Sequence, residues 1–98
     1  MPRNRLAQIR EKIRLRQYDL SAHATEEMAE DNLDILDIEH AVLTGHLARI
    51  EKDDPRGTKY VMEGLAVNQF TPVGVVGRFT GDDRYLIITV YEVTDLER

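Results

Sequence analysis

An arginine set among tyrosines and a threonine on one face of a sheet can hold a phosphate or a base: the guanidinium donates to phosphate oxygens and an aromatic ring stacks on a nucleobase. The segment Arg84 to Val93 supplies most of that set. Tyr85, Ile87, Thr89 and Tyr91 alternate there with the aliphatic row Leu86, Ile88 and Val90, which is expected to meet the helices. In the segment before it, Gly74, Val76 and Arg78 alternate with Val73, Val75, Gly77 and Phe79. Joining the first of these rows to the tyrosine row places Arg78 among Tyr85, Thr89 and Tyr91. A second group lies earlier, where His23 and Glu27 stand four apart and share one face of a helix, with Glu26 or Glu30 as a third neighbour. Glutamate-rich helices produce that spacing freely, His40 and His46 show no helical ligand pattern, and no HExxH occurs, so no metal site and no cofactor is expected. Phosphate-binding loops, dinucleotide fingerprints and Ser-His-Asp signatures are missing as well.

The elements that must position these residues follow from hydrophobic period and capping. Leu6, Ile9 and Ile13 form a narrow apolar stripe on a first helix from about Asn4 to Arg16, expected to pack peripherally. Gln17 to Leu20 reads as a short link or strand. Ser21 caps a second helix over Ala22 to Asp31, and Asn32 stops it. Asp34 caps a third helix, Leu33 and Ile38 staple its start, and Gly45 ends it. Beyond Gly45 the period changes to that of strands. His46 to Lys52 and Thr58 to Val67 flank the turn Asp53-Asp54-Pro55-Arg56-Gly57, and Pro72 to Phe79 turns through Thr80-Gly81-Asp82-Asp83 into the last strand. The expected fold is α+β: N-terminal helices on one face of a four-stranded antiparallel sheet, in a single domain over 1–98. Within it, 1–17 is a basic helix, 18–45 two acidic helices and 46–93 the sheet.

Composition limits the chemistry further. The chain has 98 residues, 42% of them apolar, and no cysteine, which removes disulfides, thiolate catalysis and Cys-ligated metals. Neither a spanning segment nor an apolar leader is visible, so no membrane partner and a cytoplasmic location are expected. The net charge of −5 is the sum of two unlike parts. Residues 1–17 carry +5, whereas Asp19 to Glu39 holds eight carboxylates and not one Lys or Arg. The two stretches either face one another or leave a basic helix free for an acidic partner or a phosphate chain.

Residues 18 to 91 resemble a family of small uncharacterised bacterial proteins. The resemblance rests on Tyr18-Asp19-Leu20-Ser21-Ala22-His23-Ala24 with Glu26 and Met28, on Asp37-Ile38-Glu39 leading to Gly45, and on Ile88-Thr89-Val90-Tyr91. The family pattern is S-x-H-A at a helix start, D-I before a helix-ending glycine, and T-x-Y on the last strand. That family looks related to RelE-like toxins of the BrnT and MqsR types, whose genes sit beside a small antitoxin. The resemblance thus implies a RelE-like fold, RNA as substrate, metal-independent cleavage and a small antitoxin protein as partner. Family members commonly carry arginines where this chain has Glu27 and the Glu30-Asp31 pair. Carboxylates at those places repel a phosphate chain unless they point away from it.

Metal-independent RNA cleavage needs a group to activate the ribose hydroxyl, a charge on the phosphate and a proton for the leaving oxygen. His23, Arg78 and Tyr91 are the expected holders of those roles. Lys59 and Arg84 are expected to add phosphate contacts, Tyr85 to stack on a base, and Thr89 to line the same face. The alternative is a non-catalytic protein-binding or regulatory module acting through its sheet face or edge, including a homodimer.

Overall fold

The computed structural model describes residues 4–93; residues 1–3, with Arg3 of the basic segment, and 94–98 lie outside the described residues. Three helices and five strands follow in the order α1 (Arg5–Arg14), β1 (Tyr18–Leu20), α2 (Ala22–Glu30), α3 (Ile35–Thr44), β2 (His46–Glu51), β3 (Lys59–Leu65), β4 (Pro72–Phe79) and β5 (Tyr85–Glu92). The sheet runs β1-β5-β4-β3-β2, with β1 parallel to β5 and every other pair antiparallel. The fold is α+β with a five-stranded mixed sheet, where the sequence reading gives four antiparallel strands. The added strand is the link at Tyr18–Leu20. Only three residues long, it owes its place to Arg84, whose guanidinium donates to the Asp19 carboxylate at 2.8 and 3.2 Å and to the Tyr18 carbonyl at 3.0 Å. The local pattern leaves Gln17 to Leu20 open between a link and a strand, because the contacts that decide for the strand lie 65 residues away.

Capping sets the helix starts. The Asn4 side chain accepts from the Ala7 amide, and the Ser21 hydroxyl accepts from the Ala24 amide. Asp34 and Asp37 close a reciprocal capping box at the start of α3, while Leu33 and Ile38 are both buried there. At the other end of α3 the glycine has a different reason from the expected one. Gly45 has φ −88°, outside the left-handed region, and a Cβ there would overlap the Glu63 carbonyl. Gly64 is equally constrained, since its Cβ would overlap the Ala41 carbonyl. The pair of glycines lets α3 lie directly on β3. Gly57, by contrast, does need its conformational freedom, with φ +134° in the turn after Pro55.

All three helices contribute to one apolar cluster. Ile9 and Ile13 of α1, Ala24 and Met28 of α2, and Ile38, Ala41 and Val42 of α3 meet Met62, Val73, Val75, Ile87 and Val90 of the sheet. The first helix is therefore not peripheral. Arg10 ties it down by donating to the carbonyls of Val42 and Gly45, which the end of α3 leaves without helical partners. Other cations of the basic segment pair within the molecule too: Lys12 of α1 with Asp83 at 3.0 Å, and Arg16 just beyond it with Glu39 at 3.4 Å. Glu39 also receives the Tyr18 hydroxyl at 2.5 Å. The Arg16–Glu39 pair joins the basic segment to the acidic stretch. Among the described residues no helix is long and apolar enough to cross a membrane.

The faces of β5 differ from simple alternation. Its register against β4 jumps from Val76↔Thr89 to Gly77↔Ile87, leaving Ile88 as an extra residue. Tyr85, Ile87 and Val90 consequently face the helices, instead of the row Leu86, Ile88 and Val90. Thr89 and Tyr91 remain on the open face.

Candidate functional site

Two regions bring together residues that could do chemistry. The first is the seam between α2 and β5. Strand β1 covers β5 only as far as Ile87, and beyond that point α2 takes its place. Ser21 starts the seam, its amide donating to Ile87 O at 2.9 Å and its hydroxyl to Ile88 O at 2.8 Å. One carboxylate oxygen of Glu27 then accepts the Val90 amide at 2.8 Å, and Asp31 accepts the Glu92 amide at 3.3 Å. The spacing explains the match: four helical residues rise about 6 Å, close to the roughly 6.6 Å between alternate strand amides. The helix thereby serves as an edge cap, supplying acceptors where a strand would otherwise be needed. His23 lies one turn before Glu27, its Nε2 3.1 Å from the other carboxylate oxygen, with its side chain 64% exposed.

The second region is the open face of the sheet. His46, Glu63, Gly74 and Tyr91 stand directly opposite one another on β2, β3, β4 and β5, a row crossing four strands. Gly74 makes the row possible, because the Tyr91 ring lies across it where any Cβ would overlap the ring. Burial and the nearby Glu63 carboxylate push the Tyr91 phenol up, and the charge of the Arg49 guanidinium opposes them. His46 Nε2 is 3.9 Å from Glu63 Oε1. The next row holds Arg49, Val61, Val76 and Thr89. Arg49 Nε meets Glu51 at 3.1 Å, and that bond holds the guanidinium pKa up. A cleft of about 540 Å³ adjoins the first row, lined among others by Gly45, His46, Glu63, Gly64, Leu65 and Pro72.

Residues 20–92, about three quarters of the chain, match a family described as a domain of unknown function, DUF4258. The chain belongs to this family. No curated protein and no solved structure matches it.

This DUF4258 domain distributes the residues singled out in its sequence over several places. Tyr91, Thr89 and Arg78 are on the open face, where Arg78 stands opposite Leu86 and its Cδ would lie 3.7 Å from a Cβ on Gly57. Arg78 and Tyr91 are thus five positions apart along β5, and His23 sits on α2 at the seam. Lys59 is on the sheet beside Glu51 at 3.8 Å and Asp54 at 3.7 Å. Arg84 is taken up by β1, its bond to Asp19 holding the Asp19 carboxyl below the usual range. Tyr85 cannot stack on a base: it is fully buried beneath the helices, its ring over Gly77 and edge-on to Phe79 at 5.1 Å. Its hydroxyl has no hydrogen-bond partner among the described residues. Arg78 consequently has Thr89 and Tyr91, but not Tyr85, on its face. No three metal-ligating side chains gather among the described residues.

Sequence reasoning missed His46, Arg49 and Glu63 as neighbours of Tyr91. His46 and Arg49 share a face only because β2 has an irregularity between Leu47 and Arg49, which shifts the alternation by one. A usable signal was Gly74, a glycine inside an apolar strand and so a place where a ring from the next strand can lie across the backbone.

Proposed function

We propose that this chain is a RelE-like, RNA-acting protein, the toxin member of a toxin–antitoxin pair, which binds RNA on the open sheet face and cleaves it without a metal. The observation that carries this reading is the direction of the acidic residues on α2. Glu27 and Asp31, standing where relatives are expected to carry arginine, are turned into the β5 edge and bonded to backbone amides. The sheet face carries Arg49, Lys59 and Arg78 beside Tyr91 and Thr89, with Glu51 and Glu63 among them, and a phosphate chain with unstacked bases would take the cations from those carboxylates and use the ring and hydroxyl groups. RNA as substrate goes with a cytoplasmic location, and a small antitoxin would cover the same face.

Controlled expression tests it. Growth arrest with cleaved total RNA from wild type, relieved by Arg78→Ala, is the expected result. Normal growth with intact RNA, while the protein is soluble and folded, overturns it and favours the second reading, a protein-binding module. One feature supports that second reading: the outer edge of β2 has no neighbouring strand among the described residues, Ile50 on it is 47% exposed, and Phe70 at the β3–β4 turn is 84% exposed. Light scattering across a concentration series separates a homodimer from a distinct partner.

A further inference from the structure

The open face contains a histidine, a carboxylate, a guanidinium and a phenol in one neighbourhood, and it is not the histidine that the S-x-H-A motif points to. We propose that the row His46, Glu63 and Tyr91, with Arg49 beside it, is the proton-transfer site of this face, and that it acts on a phosphodiester whose ribose bears a free 2′-hydroxyl. The inference rests on the RNA reading and adds to it which residues do the chemistry.

Geometry supports the assignment in three ways. Neighbouring strands are about 4.8 Å apart, so the row spans roughly 14 Å from the β2 backbone to that of β5. Tyr91 shortens the gap by lying over Gly74 towards Glu63, and His46 approaches Glu63 from the other side. The imidazole and the phenol thus stand on either side of the Glu63 carboxylate, so that a phosphodiester laid over the row would meet a base on one side and an acid on the other. Arg49 stands in the adjoining row, and its charge acts on Tyr91 and Glu63 alike. The adjoining cleft of about 540 Å³ is of the size that holds a small ligand, roughly 300–1,000 Å³, and His46 and Glu63 line it. His23, for comparison, has for its carboxylate partner a side chain already committed to the Val90 amide.

The chemistry balances without a co-reactant. His46 takes the proton from the 2′-hydroxyl as that oxygen attacks phosphorus. Arg49 exchanges Glu51 for the non-bridging phosphate oxygens, and Tyr91, its phenol kept protonated by burial and Glu63, gives a proton to the departing 5′-oxygen. The P–O5′ bond breaks, leaving a 2′,3′-cyclic phosphate and a 5′-hydroxyl. The imidazolium then returns its proton to the phenolate through solvent. Glu63 is a positioning residue that holds the imidazolium.

The test uses the full chain, a short end-labelled RNA, and the same oligonucleotide with 2′-deoxyribose throughout as a non-cleavable probe. Expected are cyclic-phosphate ends from wild type and single-turnover rates at least about 100-fold lower for His46→Ala and Tyr91→Phe. Probe binding should stay within a few-fold of wild type, with thermal melts confirming the fold. Added imidazole should restore part of the His46→Ala rate. Glu63→Gln should lower the rate while leaving probe affinity unchanged, a split that a purely structural role would not give. Cleavage at the wild-type rate by both His46→Ala and Tyr91→Phe overturns the row and leaves the RNA reading standing. A wild type that neither binds the probe nor cleaves the RNA overturns that reading and the row with it.

Discussion

Among the described residues, two histidine–glutamate pairs of similar composition stand in opposite situations. In the α2–β5 seam, His23 lies 3.1 Å from a Glu27 whose other oxygen holds the Val90 amide. On the open face, His46 lies 3.9 Å from a Glu63 surrounded by side chains, among them Arg49 and Tyr91. The first carboxylate completes a strand edge, and the second belongs to a polar row beside a cleft. Identity and spacing of residues therefore do not assign a role. What the second oxygen of the carboxylate touches does.

Stability measurements can break this comparison. Glu27→Ala leaves the Val90 amide without its acceptor, and unfolding free energy should fall by about 2 kcal/mol, whereas Glu63→Ala should cost well under half of that. Glu27→Gln keeps an acceptor and should recover most of the loss. Equal losses at Glu27 and Glu63 in urea titrations would remove the distinction between the two pairs. Next in size is Ser21→Ala, which deletes both the cap of α2 and the bond to Ile88 O, at a cost of about 1–2 kcal/mol in the same titration.

Two tyrosines sharpen the same contrast. Burial pushes the Tyr85 phenol well up, and its hydroxyl is unpartnered, so Tyr85→Phe should raise the melting temperature by a few degrees, equivalent to about 1 kcal/mol. Tyr91→Phe should leave stability almost unchanged while removing activity. A fall in melting temperature for Tyr85→Phe would count against an unsatisfied hydroxyl in the core.

The smallest effect expected is on the acid side. The Arg56 guanidinium beside Asp54 holds its carboxyl at about 2, below the ordinary 3.8, and Arg84 lowers Asp19 in the same direction. A carboxyl depressed in the folded state adds stability that is fully present above its unfolded value and is lost as pH falls through the folded one. The melting-temperature gap between wild type and Asp54→Asn should therefore narrow as pH falls from 4 towards 2. With the Arg56 partner 73% exposed, the whole gap is small.

Most of the fold that depends on neighbours in sequence could be read from it. The Asp34 cap with Leu33 and Ile38, the Asn32 stop, and the turn from Pro55 to Gly57 are local devices, and all appear where their residues place them. Features made by distant partners were not legible. Whether Gln17 to Leu20 pairs as a strand or only links depends on Arg84, the burial of α1 on Arg10 reaching the end of α3, and the faces of β5 on one extra residue at Ile88. The candidate site suffered most from such shifts. An irregularity in β2 and another in β5 decide which of His46, Arg49, Tyr85 and Tyr91 share a face, and a single slip reverses the answer for a whole segment.

The contrast between the two pairs is tested most directly by mapping where a nucleic acid touches. Adding the 2′-deoxy oligonucleotide to ¹⁵N-labelled protein should shift the amides of His46, Arg49, Glu63 and Tyr91 and leave those of Ala22 to Glu30 in place. Shifts confined to α2, with β2, β3 and the Tyr91 end of β5 unmoved, would contradict the account and return the site to His23.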